Sequence, residues 1–302
     1  MVKFSHFKHY PSASEGIEQS RARVETPQTT SPSYILAFAD QQLMLRDEMR
    51  GVRLLLEMTK PELVLKEHGI ISTIVMFGGT RVPEKKTAEE RLEKARQEAA
   101  RNPQDLKLQQ SVSRAARVLD KAGYYEECRK LARMITEFGQ TDCECHYVVT
   151  TGGGPGIMEA ANRGAAEAGG KNIGYNIVLP HEQAPNKYIT PELCFQFHYF
   201  AIRKMHFLMR AKALVVFPGG FGTMDELFEA LTIIQTKKMK PLPILLFGRE
   251  FWEEAINFRF LLEEGLIGPA DLEIFHYVET AENAWKIIED FYNHQDDGDT
   301  EI

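Results

Sequence analysis

The stretch Pro218-Gly219-Gly220-Phe221-Gly222-Thr223-Met224-Asp225-Glu226 combines three glycines, a hydroxyl and two carboxylates within nine positions. Glycine lets backbone approach a ligand closely, and a helix opening offers unpaired N–H groups and the positive end of its dipole to an anion. Gly219, Gly220, Gly222 and Thr223 can therefore cradle a phosphate, with the Thr223 hydroxyl as a further donor. Glu226 falls one helical turn beyond. The dipole there favours an ionised carboxylate, which suits stabilisation of a cationic transition state, or a base role, better than an acid role. Thr223-x-x-Glu226 is also a capping-box pattern, and spacing alone leaves both readings open. Arg203 and Lys204 lie on the helix before the same strand, and Lys204 is a further candidate to bind the nucleotide's phosphate. Arg203, Phe207 and Arg210 share a helical face, which a solvated basic stripe would equally explain.

Two more strands run into glycine turns, at Gly78-Gly79-Thr80-Arg81 and at Gly152-Gly153-Gly154-Pro155-Gly156. In an open parallel sheet, ligands bind beyond the carboxyl ends of the strands. Three such turns on one sheet edge point to a phosphate-bearing ligand, with Gly79, Thr80, Gly153 and Gly154 as further contacts. The dinucleotide pattern GxGxxG fails at Ile157, and no acidic residue ends the next strand to hold a ribose. No GxxxxGK[ST] is present either. A smaller phosphate ester remains.

The elements that must position these turns alternate. Apolar, largely β-branched runs at 71–77, 147–150, 173–179, around Phe195, 213–217, 242–247 and 273–278 read as buried strands. Helical segments separate them, at 123–138, 158–168, 200–211 and onward from about Asp225. This is an α/β chain: a doubly wound, mostly parallel sheet. Residues 84–122, broken at Asn102-Pro103, read as a surface helical hairpin inserted before the first core helix. Residues 1–33 read as a mobile arm and 34–70 as accessory helices. Met49, Val52, Leu55 and Leu56 lie on one face there, and a capping box at Thr59-Lys60-Pro61-Glu62 opens a short second helix that Gly69 stops. The core spans 71–292, and 293–302 is an acidic tail.

Composition narrows the class. With 43% hydrophobic residues and a net charge of −7, the chain can bury a large core and carries no global basic field for nucleic acid or acidic lipid. No apolar run approaches a membrane span and no secretory signal opens the chain, so a cytoplasmic protein is expected. Cys128, Cys143, Cys145 and Cys194 are too few for a disulfide framework. The Cys143-x-Cys145 pair followed by His146 lacks a second ligand cluster at zinc spacing. Neither a metal nor a cofactor is expected.

TGGGPGIMEAANRGA (151–165), IRK (202–204) and PGGFGTMDE (218–226) resemble the Lonely Guy family, cytokinin-activating nucleoside-monophosphate phosphoribohydrolases and their bacterial relatives. Leu179-Pro180-His181-Glu182-Gln183 and Asn186 fit its longer members. The resemblance covers roughly 71–292, leaving out the N-terminal segments and the 84–122 insert. It implies a Rossmann-like fold, a catalytic pair at Arg203 and Glu226, and hydrolysis of the N-glycosidic bond of AMP or an N6-modified AMP to free base and ribose 5-phosphate. It also implies at least a homodimer whose partner helps wall the site. The family has often carried a lysine decarboxylase label, for which the sequence shows no pyridoxal chemistry. The alternative from another class is a nucleotide-binding or sensing protein without significant turnover.

Overall fold

Thr73–Phe77 (β1) is buried along its whole length, as a strand covered on both faces must be. Ile74 and Met76 enter one apolar layer with Val149, Ile157 and Phe217. Val75 and Phe77 enter the opposite layer with Tyr175, Phe207 and Leu227. That alternation is the two-residue period of a strand. The other strands are Val148–Thr151 (β2), Ile173–Ile177 (β3), Cys194–Phe197 (β4), Ala211–Val216 (β5), Ile244–Phe247 (β6) and Phe275–Val278 (β7). All pair in parallel, in the order β4-β3-β2-β1-β5-β6-β7. The order reverses between β1 and β5, which is the switch point where an open α/β sheet leaves a crevice. The doubly wound parallel sheet is thus present. The structure is a computed structural model that describes residues 11–21, 24–140, 144–180 and 184–296.

The described helices are, in chain order, Ala13–Arg21 (α1), Gln41–Met44 (α2), Arg50–Glu67 (α3), Lys85–Arg101 (α4), Leu106–Asp120 (α5), Gly123–Gly139 (α6), Ile157–Glu167 (α7), Phe200–Met209 (α8), Phe221–Gln235 (α9), Arg249–Ala255 (α10), Phe258–Glu263 (α11) and Ala281–Asp296 (α12). Side chains of α6, α7 and α12, among them Leu131, Ala160 and Trp285, fill one layer. Phe207 of α8, Leu227 of α9 and Trp252 of α10 fill the other. No helix among the described residues is long and apolar enough to cross a membrane.

The insert folds as two helices. α4 buries Ala88, Leu92, Ala95 and Ala99, a stripe at helical spacing, whereas α5 buries none of its residues. Asn102 ends α4, and the Asp105 side chain caps α5 by accepting from the Lys107 and Leu108 N–H groups. By its contacts the chain divides into Met1–Glu57 and Met58–Ile302. The second unit holds the sheet and every residue of the candidate site. Among the described residues of the first, no side chain is buried.

Several local expectations are corrected. Residues 13–21, within the segment read as a mobile arm, are helical. Thr59-Lys60-Pro61-Glu62 does not open a new helix, because α3 runs through Pro61. Proline there removes only the donor to the Glu57 carbonyl, and Pro61 and Leu65 are buried in return. Gly69, at a φ of 70°, does stop the helix, and the Ile70 N–H closes back on the Leu65 carbonyl. Val52, Leu55 and Leu56 share a face but stay exposed. α9 starts at Phe221 rather than near Asp225, because Gly220 itself is its N-cap. Cys143, residues 181–183 of the loop after β3, and 297–302 of the acidic tail lie outside the described residues.

Candidate functional site

The parallel register brings three turns to one end of the sheet. Phe77 pairs with Val216, so Gly78-Gly79 and Pro218-Gly219 leave adjacent strands at one level. The Gly79 N–H donates to the Pro218 carbonyl at 2.9 Å, and the Phe217 N–H to the Phe77 carbonyl at 2.8 Å. A side chain at Gly78 would strike Ile157 at 2.6 Å. Glycine there lets the start of α7 press onto the β1 turn. The result is a cleft of about 250 Å³ at the β1/β5 switch point, walled by Gly79, Thr80, Gly152, Arg203, Thr223 and Glu226 among others.

The turn after β5 presents backbone to this cleft. Gly220 and Gly222 line it, and a Cβ built on either meets nothing within 4 Å. Gly219 does not line the cleft. A side chain there would overlap Thr223, so its glycine is needed to seat that residue. The two kinds of glycine predict different outcomes. Gly220→Val adds bulk in open space on backbone of ordinary extended conformation, with φ −98° and ψ −156°. It is expected to weaken AMP binding at least severalfold while leaving the thermal midpoint within a degree or two. Unchanged affinity by titration calorimetry would rule out a ligand at this turn.

The turn after β2 is held from behind by buried amides. The Thr151 hydroxyl donates to Asn162 Oδ1 at 2.7 Å and accepts from the Gly153 N–H at 3.0 Å. Asn162 Nδ2 donates to Asn172 Oδ1 at 2.8 Å. Asn186 Nδ2 reaches Asn162 Oδ1 and the carbonyls of Gly153 and Gly154. Satisfied on every side, these groups fix the loop rather than cost stability. Gly153 and Gly154 are outside the lining. Gly153, at a φ of 78°, packs against Asn176, and Gly154 against the Met158 methyl. The residue of this turn that faces the cleft is Gly152.

Arg203 enters the cleft from α8. Its Nε donates to the Tyr175 carbonyl at 2.8 Å, and its guanidinium lies over the Phe207 ring at 5.2 Å and near Phe200 at 5.9 Å. A Cβ on Gly152 would come within 2.6 Å of Nη2, so that glycine makes room for the arginine. The shared face with Phe207 is as expected. Arg210 departs from it, pairing with Glu62 at 2.7 Å and donating to the Ile70 carbonyl.

Glu226 is only 8% exposed. It is no capping residue. Gly220 occupies the N-cap without a side-chain bond, and Thr223 and Glu226 both sit inside α9. Burial pushes the carboxyl pKa up to about 7, while Arg203 and Lys204 pull it down and Glu229 and Asp225 push it up. Glu226 is therefore divided between its acid and carboxylate forms near neutral pH, not held fully ionised as the helix dipole alone would have it. Desolvation shifts a carboxyl by up to several units, which outweighs the fraction of a kcal/mol that the dipole supplies. Lys204 does not line the cleft. Its Nζ meets Asp225 Oδ1 and Glu229 Oε2, each at 2.9 Å.

Met158, Phe200 and Asp225 also line the cleft, beyond the residues expected. Phe200 had a legible signal, the three-residue spacing to Arg203. Asn162 was signalled by a lone amide in the small-residue run of α7. The Tyr175 carbonyl left no trace in side-chain types.

Residues 158–288 match a family model described as "Possible lysine decarboxylase". No curated protein matches the chain. Among solved structures, the X-ray structure of TM1055, a structural-genomics target, aligns at 22% identity with a TM-score of 0.44, over 72% of this chain and 99% of that one. The molybdenum cofactor carrier protein from Chlamydomonas reinhardtii aligns at 19% identity with a TM-score of 0.41, over 74% of this chain and 99% of that one.

Proposed function

We propose that this chain hydrolyses the N-glycosidic bond of a nucleoside 5′-monophosphate such as AMP, a reading supported by the match of residues 158–288 to that family model and by the sequence resemblance to the Lonely Guy family. The carrying observation is the convergence of an open glycine turn, Arg203 and the buried Glu226 on one cleft. The N–H groups of Phe221, Gly222 and Thr223 open α9 and have no partner within the helix, which suits a 5′-phosphate. The ribose then lies toward Arg203 and Glu226. Glycosidic cleavage passes through an oxocarbenium-like state. The Glu226 carboxylate stabilises that cation, and Arg203 holds phosphate or ribose oxygens by charge-assisted bonds. The bond from C1′ to the base nitrogen breaks, water adds its oxygen to C1′, and the proton of that water is the equivalent gained by the departing base.

A lysine-based decarboxylation finds no support in the cleft. Among its described lining residues none is a lysine, so no side chain of the cleft could carry an aldehyde cofactor as the Schiff base that pyridoxal chemistry starts from. The direct test incubates the pure protein with AMP and follows adenine and ribose 5-phosphate by chromatography. Stoichiometric release of both is the expected result. Tight AMP binding with no release would instead favour the sensing alternative.

The proposal includes a second copy of the chain. Phe200, Met205 and Met209 on α8 are exposed, as are Phe228 and Phe221 on α9, the last at 96%. Large apolar side chains exposed on two helices that Lys204 ties together support association through this face. Sedimentation is expected to give a dimer or larger assembly at micromolar concentration, and Phe221→Glu with Met209→Glu is expected to shift it toward monomer. A monomeric wild-type protein would refute this part.

A further inference from the structure

Lys204 follows Arg203 directly and lies on the helix that carries it, yet it turns away from the cleft. Its ammonium sits between Asp225 and Glu229 on α9, 2.9 Å from each. Those carboxylates are four residues apart on one helical face and flank Glu226 in sequence. One cation on α8 thus ties together two turns of α9 around the residue the proposed reaction uses. Lys204 is 17% exposed and Glu229 31%, whereas Asp225 is 57% exposed, so the contact with Glu229 is the better shielded of the two. Burial pulls the Lys204 pKa down, but Glu229 and Asp225 more than restore it, so the ammonium stays charged.

We propose that Lys204 is a positioning residue: it clamps α8 to α9 through Asp225 and Glu229, so that Arg203 and Glu226 keep their mutual placement, and it does not contact the ligand. This rests on the hydrolytic reading only for its effect on turnover. The charged groups acting on Glu226 are Arg203 and Lys204 from α8 and Asp225 and Glu229 from its own helix. Lys204 accordingly also keeps the Glu226 carboxyl from being still harder to ionise.

The experiment compares wild type with Lys204→Met, Lys204→Arg, Glu229→Gln and the Lys204→Met/Glu229→Gln double variant. A clamp predicts that Lys204→Met and Glu229→Gln each lower kcat, the former about tenfold, with little change in KM. It also predicts that the double variant is no worse than Lys204→Met alone, since members of one contact network are not additive. Lys204→Arg restores most of the rate. A phosphate ligand predicts the opposite pattern: Lys204→Met raises KM and the dissociation constant for AMP, and Glu229→Gln leaves both unchanged or improves them. That pattern would overturn the proposal.

A second readout needs no turnover. Carbon-13 NMR titration of the Glu226 carboxyl is expected to show its midpoint rising in Lys204→Met and returning in Lys204→Arg. An unmoved midpoint would overturn the proposal. If wild type releases no adenine, the hydrolytic reading fails by itself, while the AMP affinities and the titration still decide the place of Lys204.

Discussion

Glu226→Gln is expected to lower adenine release from AMP on the order of a hundredfold or more, the usual cost of losing one preorganised electrostatic contact. Binding should change far less than kcat, since the charge matters most when the sugar becomes cationic. Stability should move the other way. The folded pKa of about 7 lies above the ordinary value of 4.5. Between those values the folded protein holds more proton than the unfolded chain, so stability falls as pH rises. The contribution is fully present below about 4.5 and is lost as pH passes through about 7. The amide cannot ionise, so the variant escapes this loss. It is expected to gain on wild type between about pH 4.5 and 7 by on the order of 3 kcal/mol at most. Melting curves at pH 4.5, 6 and 8 beside an adenine assay test both arms. The wild-type rate should climb through about pH 7 as the carboxylate forms, while the residual rate of the variant lacks that step. A folded variant with near wild-type turnover would end the catalytic assignment.

Gly152→Ala is expected to cost about as much by a different route. One methyl group there falls 2.6 Å from Arg203 Nη2 and 3.0 Å from Met158 Sδ. Both are ends of flexible side chains, so the fold can yield, and the thermal midpoint should drop only modestly. The arginine yields with it. Its Nε bond to the Tyr175 carbonyl sets where the guanidinium points, and a misplacement of about an ångström can cost on the order of a hundredfold in rate. Gly153→Ala makes the contrast. Its neighbour is Asn176, and its φ of 78° disfavours any side chain, so the damage there should appear chiefly in stability. Gly152→Ala with wild-type kcat and KM would show that the position of Arg203 does not govern the reaction.

Much of this protein is legible in its sequence because the governing signals are local. A β-branched run such as Ile74-Val75 ending in Gly78-Gly79 can be little else than a buried strand entering a tight turn. The alternation of such runs with helical segments dictates a parallel sheet, and a parallel sheet collects the ends of β1, β2 and β5 on one edge. Asn102-Pro103 divides the insert into two helices for equally local reasons. The PGGFG turn and the presence of Arg203 and Glu226 on flanking helices followed in the same way.

What needed the tertiary structure depends on burial and on which neighbour fills a space. Gly219, Gly220 and Gly222 are identical in type, but Thr223 occupies the space beside the first and the cleft lies beside the other two. Glu226 and Lys204 carry opposite charges whose fates are set by what surrounds them. Desolvation in the cleft raises one carboxyl to about 7, and two acids of α9 draw the lysine out of the lining. Pro61 reads as a break by its own chemistry, yet α3 runs on through it and buries it. The Gly219–Thr223 contact spans only four residues, but burial of Glu226 and of Pro61 and the pull of α9 on Lys204 outweigh local preferences worth about a kcal/mol or a few, and they exist only once the layers have packed.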